Sequence, residues 1–391
     1  MYKKSKSILI LGILLAITFF SSCAKNDTPT GPQSDPQFKN LEEEIDHIAN
    51  QYYKVGAAVG VINKQQEQLV SFYGTKVLNA DDPPNENTVF QIGSITKTFT
   101  TTLFADRILK GIVGLDSAAS QYLPADQVTM PTYDGAEITL KHLATHSSGI
   151  PKKPHGTSYP YPPGYDLLNA YAAYTKEHIY DFLTNYCTLS SKPGTRYLYS
   201  NIGVGLLGHI LGIVDGSSYE ELLINIIINP LGMNNTSLFI IEGQDINIAL
   251  GYSAILEPMP NFDANDIFQG AGFIKSSLND MMIYLKANMR LIDNTLENAI
   301  DLAQQAHFNV GAVTYDDRPG EVFELTIGLG WHRHQSSDGR TYYWHGGSTN
   351  GHTAYIGFDK SNLTGVVVLC NCEDVNILIF GDKLLKAINK Y

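Results

Sequence analysis

Strand-like segments stand at both ends of this chain and helical ones fill its middle, an arrangement that few folds accommodate. Near the start, residues 55–63 and 68–73 are apolar and flank the polar turn Lys64-Gln65-Gln66-Glu67, a hairpin pattern. Near the end, residues 325–334, 340–345, 352–358 and 365–372 read as four further short strands. A helix is expected over residues 41–53, with Leu41, Ile45, Ile48 and Ala49 on one face and Glu42, Glu43 and Glu44 in the first turn. A second helix closes the chain over residues 375–390. From about residue 91 to 320 the spacing predicts helices at 94–109, 139–145, 178–183, 203–211, 219–228 and 278–289. The expected class is therefore α/β in the α+β sense. An antiparallel sheet is flanked by terminal helices in an α/β subdomain (residues 41–90 and 321–391), and a helical subdomain (91–320) is inserted into it.

Ahead of this region, Lys3, Lys4 and Lys6 precede an apolar run from residue 8 to 20 that ends in Ser21-Ser22-Cys23. Basic residues, a short apolar core and small residues are the pattern of a signal peptide, expected over 1–22. Small residues directly before Cys23 also match a bacterial lipobox, whose Cys becomes the lipidated first residue; an ordinary cleaved signal is the alternative. Residues 23–40, rich in Pro, Asn, Asp and Gly, read as a flexible tether. The expected location is the periplasm, with membrane anchoring through Cys23, or else secretion.

At 391 residues the chain has room for an ample core, and 17% charged residues mark an ordinary globular protein. A net charge of −12 without clustered Lys and Arg excludes a phosphate-backbone partner, so no nucleic acid is expected. Cys187, Cys370 and Cys372 remain after Cys23, too few for a disulfide framework or a metal site, and the last two alternate along one strand face.

Three short motifs carry chemistry. In Gly93-Ser94-Ile95-Thr96-Lys97 a Ser begins a helix with a Lys one turn later, so the amine reaches the hydroxyl and helix N-terminal N–H groups face an oxyanion. In Tyr199-Ser200-Asn201, two residues apart in an extended segment point the same way: a phenol to shuttle protons and an amide to hold substrate or Lys97. Two flanking cations would be needed to bring that phenol toward working pH. In His345-Gly346-Gly347-Ser348 the glycines let a substrate lie along a strand, with the Ser348 N–H free to donate beside that of Ser94. Each motif alone also has a plain structural reading: a capped helix, a packed Tyr in a turn, a core histidine.

Taken together, in this order and at these separations, the motifs resemble those of class C β-lactamases and the related D-alanyl-D-alanine peptidases and esterases. Residues 140–151 (Leu-Lys-His-Leu-Ala-Thr-His-Ser-Ser-Gly-Ile-Pro), 230–237 and Gly270-Ala271-Gly272 add to the likeness, which runs from about Leu41 to the C-terminus. The resemblance implies a β-lactamase/transpeptidase-like fold, an acyl-enzyme on Ser94, Lys97 and Tyr199 as proton carriers, and Asn201 as positioner. It places His345, Gly347 and Ser348 at the third motif, and implies peptidoglycan-derived peptides or β-lactams as substrates, with no cofactor. Two departures stand out. His345-Gly346 occupies the place where most β-lactamases of this kind carry Lys-Thr, and this His-Gly variant is seen more among peptidases and esterases. Residues 371–379 contain Asn376 but no Arg to grip a substrate carboxylate, leaving Arg196 and Arg333 as candidates.

The expected activity is a D-alanyl-D-alanine carboxypeptidase or endopeptidase; a class C-like β-lactamase, an esterase and a catalytically dead peptide-binding protein are the rivals. Residues 151–165, with Pro151, Pro154, Pro160, Pro162, Pro163 and three tyrosines, read as a loop over the site. His142 and His146 have zinc-helix spacing, but Leu143 stands where a metalloprotease places its Glu. His332 and His334 are expected to be exposed or capping, and Glu221 a solvated helix residue.

Overall fold

A computed structural model describes residues 37–240, 247–315, 318–336 and 339–391. The expected signal peptide, Cys23 and the expected tether up to residue 36 lie outside the described residues.

Asn40 opens the first helix, α1 (Leu41–Tyr52): its side chain accepts the Glu43 N–H at 2.9 Å and three acidic residues follow in the first turn. Leu41, Ile45, Ile48 and Ala49 are its buried face, as their spacing predicts. The hairpin follows as β1 (Gly56–Ile62) and β2 (Gln68–Gly74), its turn held by Asn63 Oδ1, which accepts from Gln65 N and Glu67 N. The C-terminal half supplies β3 (Phe308–Tyr315), β4 (Arg318–Ile327), β5 (His332–Gln335), β6 (Thr341–Ser348), β7 (Thr353–Asp359) and β8 (Thr364–Cys370). All join one antiparallel sheet in the order β2-β1-β8-β7-β6-β5-β4-β3. β1 is thus inserted between its hairpin partner and the last strand, with Ala57 opposite Cys370 and Val61 opposite Val366.

The sheet is a middle layer. On one face Ala57, Val59, Val61, Val366, Val368 and Cys370 form a core with α1 and the closing helix α6 (Ile377–Ile388). On the other, Ala58, Ile62, Val367, Leu369, Ile356 and Phe358 join the core of the helical region. Burial on both faces explains why β1 and β8 are nearly continuous apolar runs. In the helical region α2 (Thr96–Leu109), α3 (Leu140–Ala144), α4 (Asn201–Asp215) and α5 (Leu278–Asn288) lie where helices are predicted. The segment 219–228 and the one around 178–183 continue from α-helical into π-helical turns.

Two expectations are corrected. The predicted strand 325–334 is two strands, broken where Gly330 takes φ +73. β3, and β4 from residue 318, lie within the stretch expected to be helical. Register shifts at Asn309/Gly311 and Thr314/Tyr315 interrupt the two-residue alternation that would have revealed them.

Candidate active site

The site begins with a helix that should not, by composition, be buried. α2 reads Thr-Lys-Thr-Phe-Thr-Thr-Thr, yet all of these residues are enclosed. Its hydroxyls bond to carbonyls within the helix and beyond it: Thr101 Oγ1 reaches Lys97 O at 2.9 Å and Leu329 O at 2.8 Å, and Thr100 Oγ1 reaches Gly270 O at 2.7 Å. A single 3-10 turn, Gly93–Ile95, precedes it, so Ser94 stands just outside the α-helix it was expected to begin. Ser94 is half-buried, and Lys97, 0% exposed, sends its amine 3.1 Å from Ser94 Oγ. The same amine donates to Ala271 O, the middle of the Gly270-Ala271-Gly272 stretch. Burial, and then the charge of Lys152, hold the Lys97 pKa well below that of an ordinary lysine, which favours the uncharged amine.

Tyr199 faces this pair. Its ring centroid lies 4.9 Å from Lys97 Nζ, and its phenol hydrogen-bonds with Ser94. Lys152 Nζ lies 5.9 Å from the same centroid, so two lysines do flank the ring. Burial nevertheless dominates and pushes the phenol pKa upward, the reverse of the shift expected from flanking cations. The phenol is therefore held neutral by its burial, while the Lys97 amine beside it is pushed the other way.

His146 positions Tyr199. Its imidazole lies against the tyrosine ring at 4.2 Å, its Nδ1 accepts the Ser200 N–H at 3.1 Å, and its carbonyl accepts Leu198 N–H at 2.6 Å. It does so from a left-handed backbone, φ +56, which is unusual for a residue with a side chain. His142 instead caps its own helix through Thr139 N–H at 3.1 Å, so the two histidines with zinc-helix spacing do separate jobs.

Ser200 ends the extended segment: its Oγ accepts Gly203 N–H and caps α4, and Asn201 is already helical. Tyr199 and Asn201 are therefore not an alternating pair on one strand, as expected. The Asn201 amide donates to Tyr171 Oη at 2.8 Å, while its Oδ1 is buried without a partner. Asn201 N–H is accepted by Lys152 O at 3.0 Å, and Ser200 Oγ donates to Pro151 O, so the Pro-rich stretch 151–165 is rooted on the site.

At the third motif two glycines let β6 and the Ser94 turn meet. A methyl group on Gly347 would lie 2.0 Å from Ile92 O and 3.2 Å from Ser94 N; one on Gly93, whose φ is +51, would lie 2.6 Å from Ser348 N. The backbones of Ser94 and Ser348 are thereby brought to one small space. His345 is 1% exposed, so its ring is enclosed. Its Nδ1 donates to Gly346 O at 2.7 Å, its Nε2 is buried without a partner, and burial holds the ring neutral. His332, which was expected to be exposed or capping, is buried beside it: 5.1 Å from the His345 ring, 4.3 Å from Trp344, with Nε2 3.0 Å from Tyr197 Oη. His334 is buried too, against Tyr342 and Phe323. The amphipathic β-strand ends there pack both rings rather than presenting them to water.

The two arginines raised as carboxylate grips are not built into this site. Arg196 is exposed, and Arg333 donates to Thr326 Oγ1 at 2.9 Å and lies over the Tyr343 ring. Asn376 caps α6, and Glu221 is an exposed residue that caps its helix through Ser218. Sequence reasoning missed Lys152, Tyr171 and the positioning role of His146. The position of Lys152 directly after Pro151 in a loop already read as covering the site was the one signal pointing to it.

The comparisons with known proteins bear on the family and the fold. The beta-lactamase family model matches residues 39–376. The beta-lactamase of Pseudomonas fluorescens is 28% identical over 351 residues, covering 85% of this chain and 92% of that protein. The D-alanyl-D-alanine-carboxypeptidase/endopeptidase AmpH of Escherichia coli (strain K12) is also 28% identical, over 342 residues, covering 86% of this chain and 83% of its own length. Among solved structures, a class C beta-lactamase superposes with a TM-score of 0.71 at 22% identity, covering 88% of this chain and 96% of that one. A beta-lactamase/D-alanine carboxypeptidase from Pseudomonas syringae gives 0.71 at 21% identity, covering 90% and 99%. With the expected fold present and its family matched across most of its length, this chain belongs to the beta-lactamase family of serine hydrolases.

Proposed function

We propose that this protein is a D-alanyl-D-alanine carboxypeptidase/endopeptidase acting on cell-wall peptides through an acyl-enzyme on Ser94. The observation that carries the reading is the Lys97 amine, fully buried and 3.1 Å from Ser94 Oγ. Lys97 takes the Ser94 proton as its oxygen attacks the carbonyl carbon; the C–O bond forms and the carbonyl electrons move to oxygen, facing the N–H groups of Ser94 and Ser348. The neutral phenol of Tyr199 passes a proton to the leaving amine as the C–N bond breaks, and Lys97 returns one to the phenol. Water then releases the acyl group along the same route. Asn201, held by Tyr171, orients the substrate amide.

The peptidase reading is supported by His345, a neutral ring at the position where most β-lactamases of this kind carry a lysine, and by the name of the AmpH relative. A β-lactamase is the second reading, favoured by relatives of that name. Incubation with benzylpenicillin, followed by intact mass and by drug turnover, separates them. A lasting adduct on Ser94 indicates the peptidase, penicilloate without an adduct indicates the β-lactamase, and neither change removes both. From the sequence alone we also infer export to the periplasm with lipid attachment at Cys23. A Cys23→Ala variant that still partitions with membranes would overturn the attachment.

A further inference from the structure

The motifs leave one substrate group without a receptor: the carboxylate that ends a D-alanyl peptide. Lys97 is enclosed and its amine engaged with Ser94 Oγ and Ala271 O, His345 is enclosed with Nδ1 on Gly346 O, and Arg333 is engaged with Thr326 and Tyr343. Lys152 differs from all of these. Its side chain is exposed, its amine stands 5.9 Å from the Tyr199 centroid, and no described carboxylate pairs with it.

Its placement is fixed by the backbone. Lys152 O accepts Asn201 N at 3.0 Å and Ile202 N at 3.4 Å, Pro151 O accepts Ser200 Oγ at 2.9 Å, and prolines at 151 and 154 restrict the chain on either side. The segment is thus clamped to the first turn of α4, beside Asn201. Lys153 adds a second exposed cation, in a chain whose net charge is −12. Partial burial of the amine, and then the charge of Lys153, lower the Lys152 pKa, and a carboxylate arriving beside the amine relieves both effects, so two adjacent lysines next to Tyr199 suit an anion.

We propose that Lys152 is the residue that receives the substrate carboxylate, so the enzyme prefers acyl donors ending in a free carboxylate over their neutral counterparts. This rests on the assignment of Ser94 as nucleophile.

The test compares N-acetyl-D-alanyl-D-alanine with its C-terminal amide, following release of D-alanine or D-alaninamide by mass spectrometry. For Lys152→Gln the ratio of kcat/KM, acid over amide, falls about tenfold, mainly through KM for the acid, and Lys152→Arg retains most of the wild-type ratio. An unchanged ratio in Lys152→Gln, whether or not both rates drop together, overturns the proposal and assigns Lys152 to Tyr199 instead. If the wild type cleaves neither peptide, the peptidase reading has failed by itself. Calorimetric binding of the two peptides to Ser94→Ala and to Ser94→Ala/Lys152→Gln then decides. A preference for the acid lost in the double variant sustains the proposal, and equal binding of both peptides to Ser94→Ala refutes it.

Discussion

Lys97 Nζ and Ser94 Oγ lie 3.1 Å apart with no described carboxylate paired to the amine, so burial, and then the charge of Lys152, push the Lys97 pKa down unopposed. Because the folded chain holds this amine below the ordinary lysine value, the unfolded chain binds a proton that the folded one lacks. Stability therefore rises with pH from the lowered value up to about 10.4, and enclosing this amine costs stability below that pH. Lys97→Met should slow acylation by about a thousandfold while raising stability at pH 7 by roughly 1–3 kcal/mol. Denaturant unfolding of both proteins at pH 7 checks this, and a destabilised variant would contradict the uncharged state.

Tyr199 should remain protonated well beyond the range in which free tyrosines ionise, because its burial outweighs its bond to Ser94. In an ultraviolet pH titration, wild type and Tyr199→Phe should give the same tyrosinate signal up to about pH 10. The variant should lose roughly 10²–10⁴-fold in kcat. A difference signal near neutrality would show that the phenol is ionised in the resting enzyme.

Gly347→Ala tests the meeting of β6 with the Ser94 turn. A methyl group 2.0 Å from Ile92 O cannot be housed without moving one backbone, and a displacement of about 1 Å at the reacting groups lowers kcat/KM by roughly a hundredfold. Stopped-flow acylation is the measurement, and a rate within threefold of wild type would mean that the two N–H groups need not be held together.

Acid should loosen the fold before it titrates the carboxylates. His332 and His352 are pushed down to about 4, and His146 and His345 well below 6.5, in each case chiefly by burial. A lowered histidine contributes nothing adverse while it is neutral in both states. Stability is lost as pH falls below about 6.5 toward the folded value, because the unfolded chain takes the proton first. At pH 5 this amounts to roughly 2 kcal/mol for each of His332 and His352. Unfolding at pH 7 and pH 5 should show the loss, and His332→Gln should reduce it.

Much of this was legible in the chain. Period-two and period-3.6 patterns located the terminal hairpin, the closing helix and most of the helical region, and Ser94, Lys97 and Tyr199 do converge. What was not legible has identifiable causes. Bulges hid β3, and a capping Ser200 turned Asn201 out of the strand pattern into a helix. The contacts of His146 and Lys152 with Tyr199 span 53 and 47 residues of chain and depend on a loop with no periodicity to read. Whether a histidine is buried was also misjudged at His332 and His334, since a two-residue strand pattern gives the face and not what covers it.

The insertion of β1 between β2 and β8 imposes an order on assembly. The inner edge of β1 is filled by residues 365–370, so β1 remains an apolar strand with one open edge until that segment arrives. Pairings this distant in sequence are entropically late and leave the half-made molecule open. The two cores cannot both be sealed until residues 365–370 are in place, which makes β8, and not the helix that carries Lys97, the strand that completes the sheet.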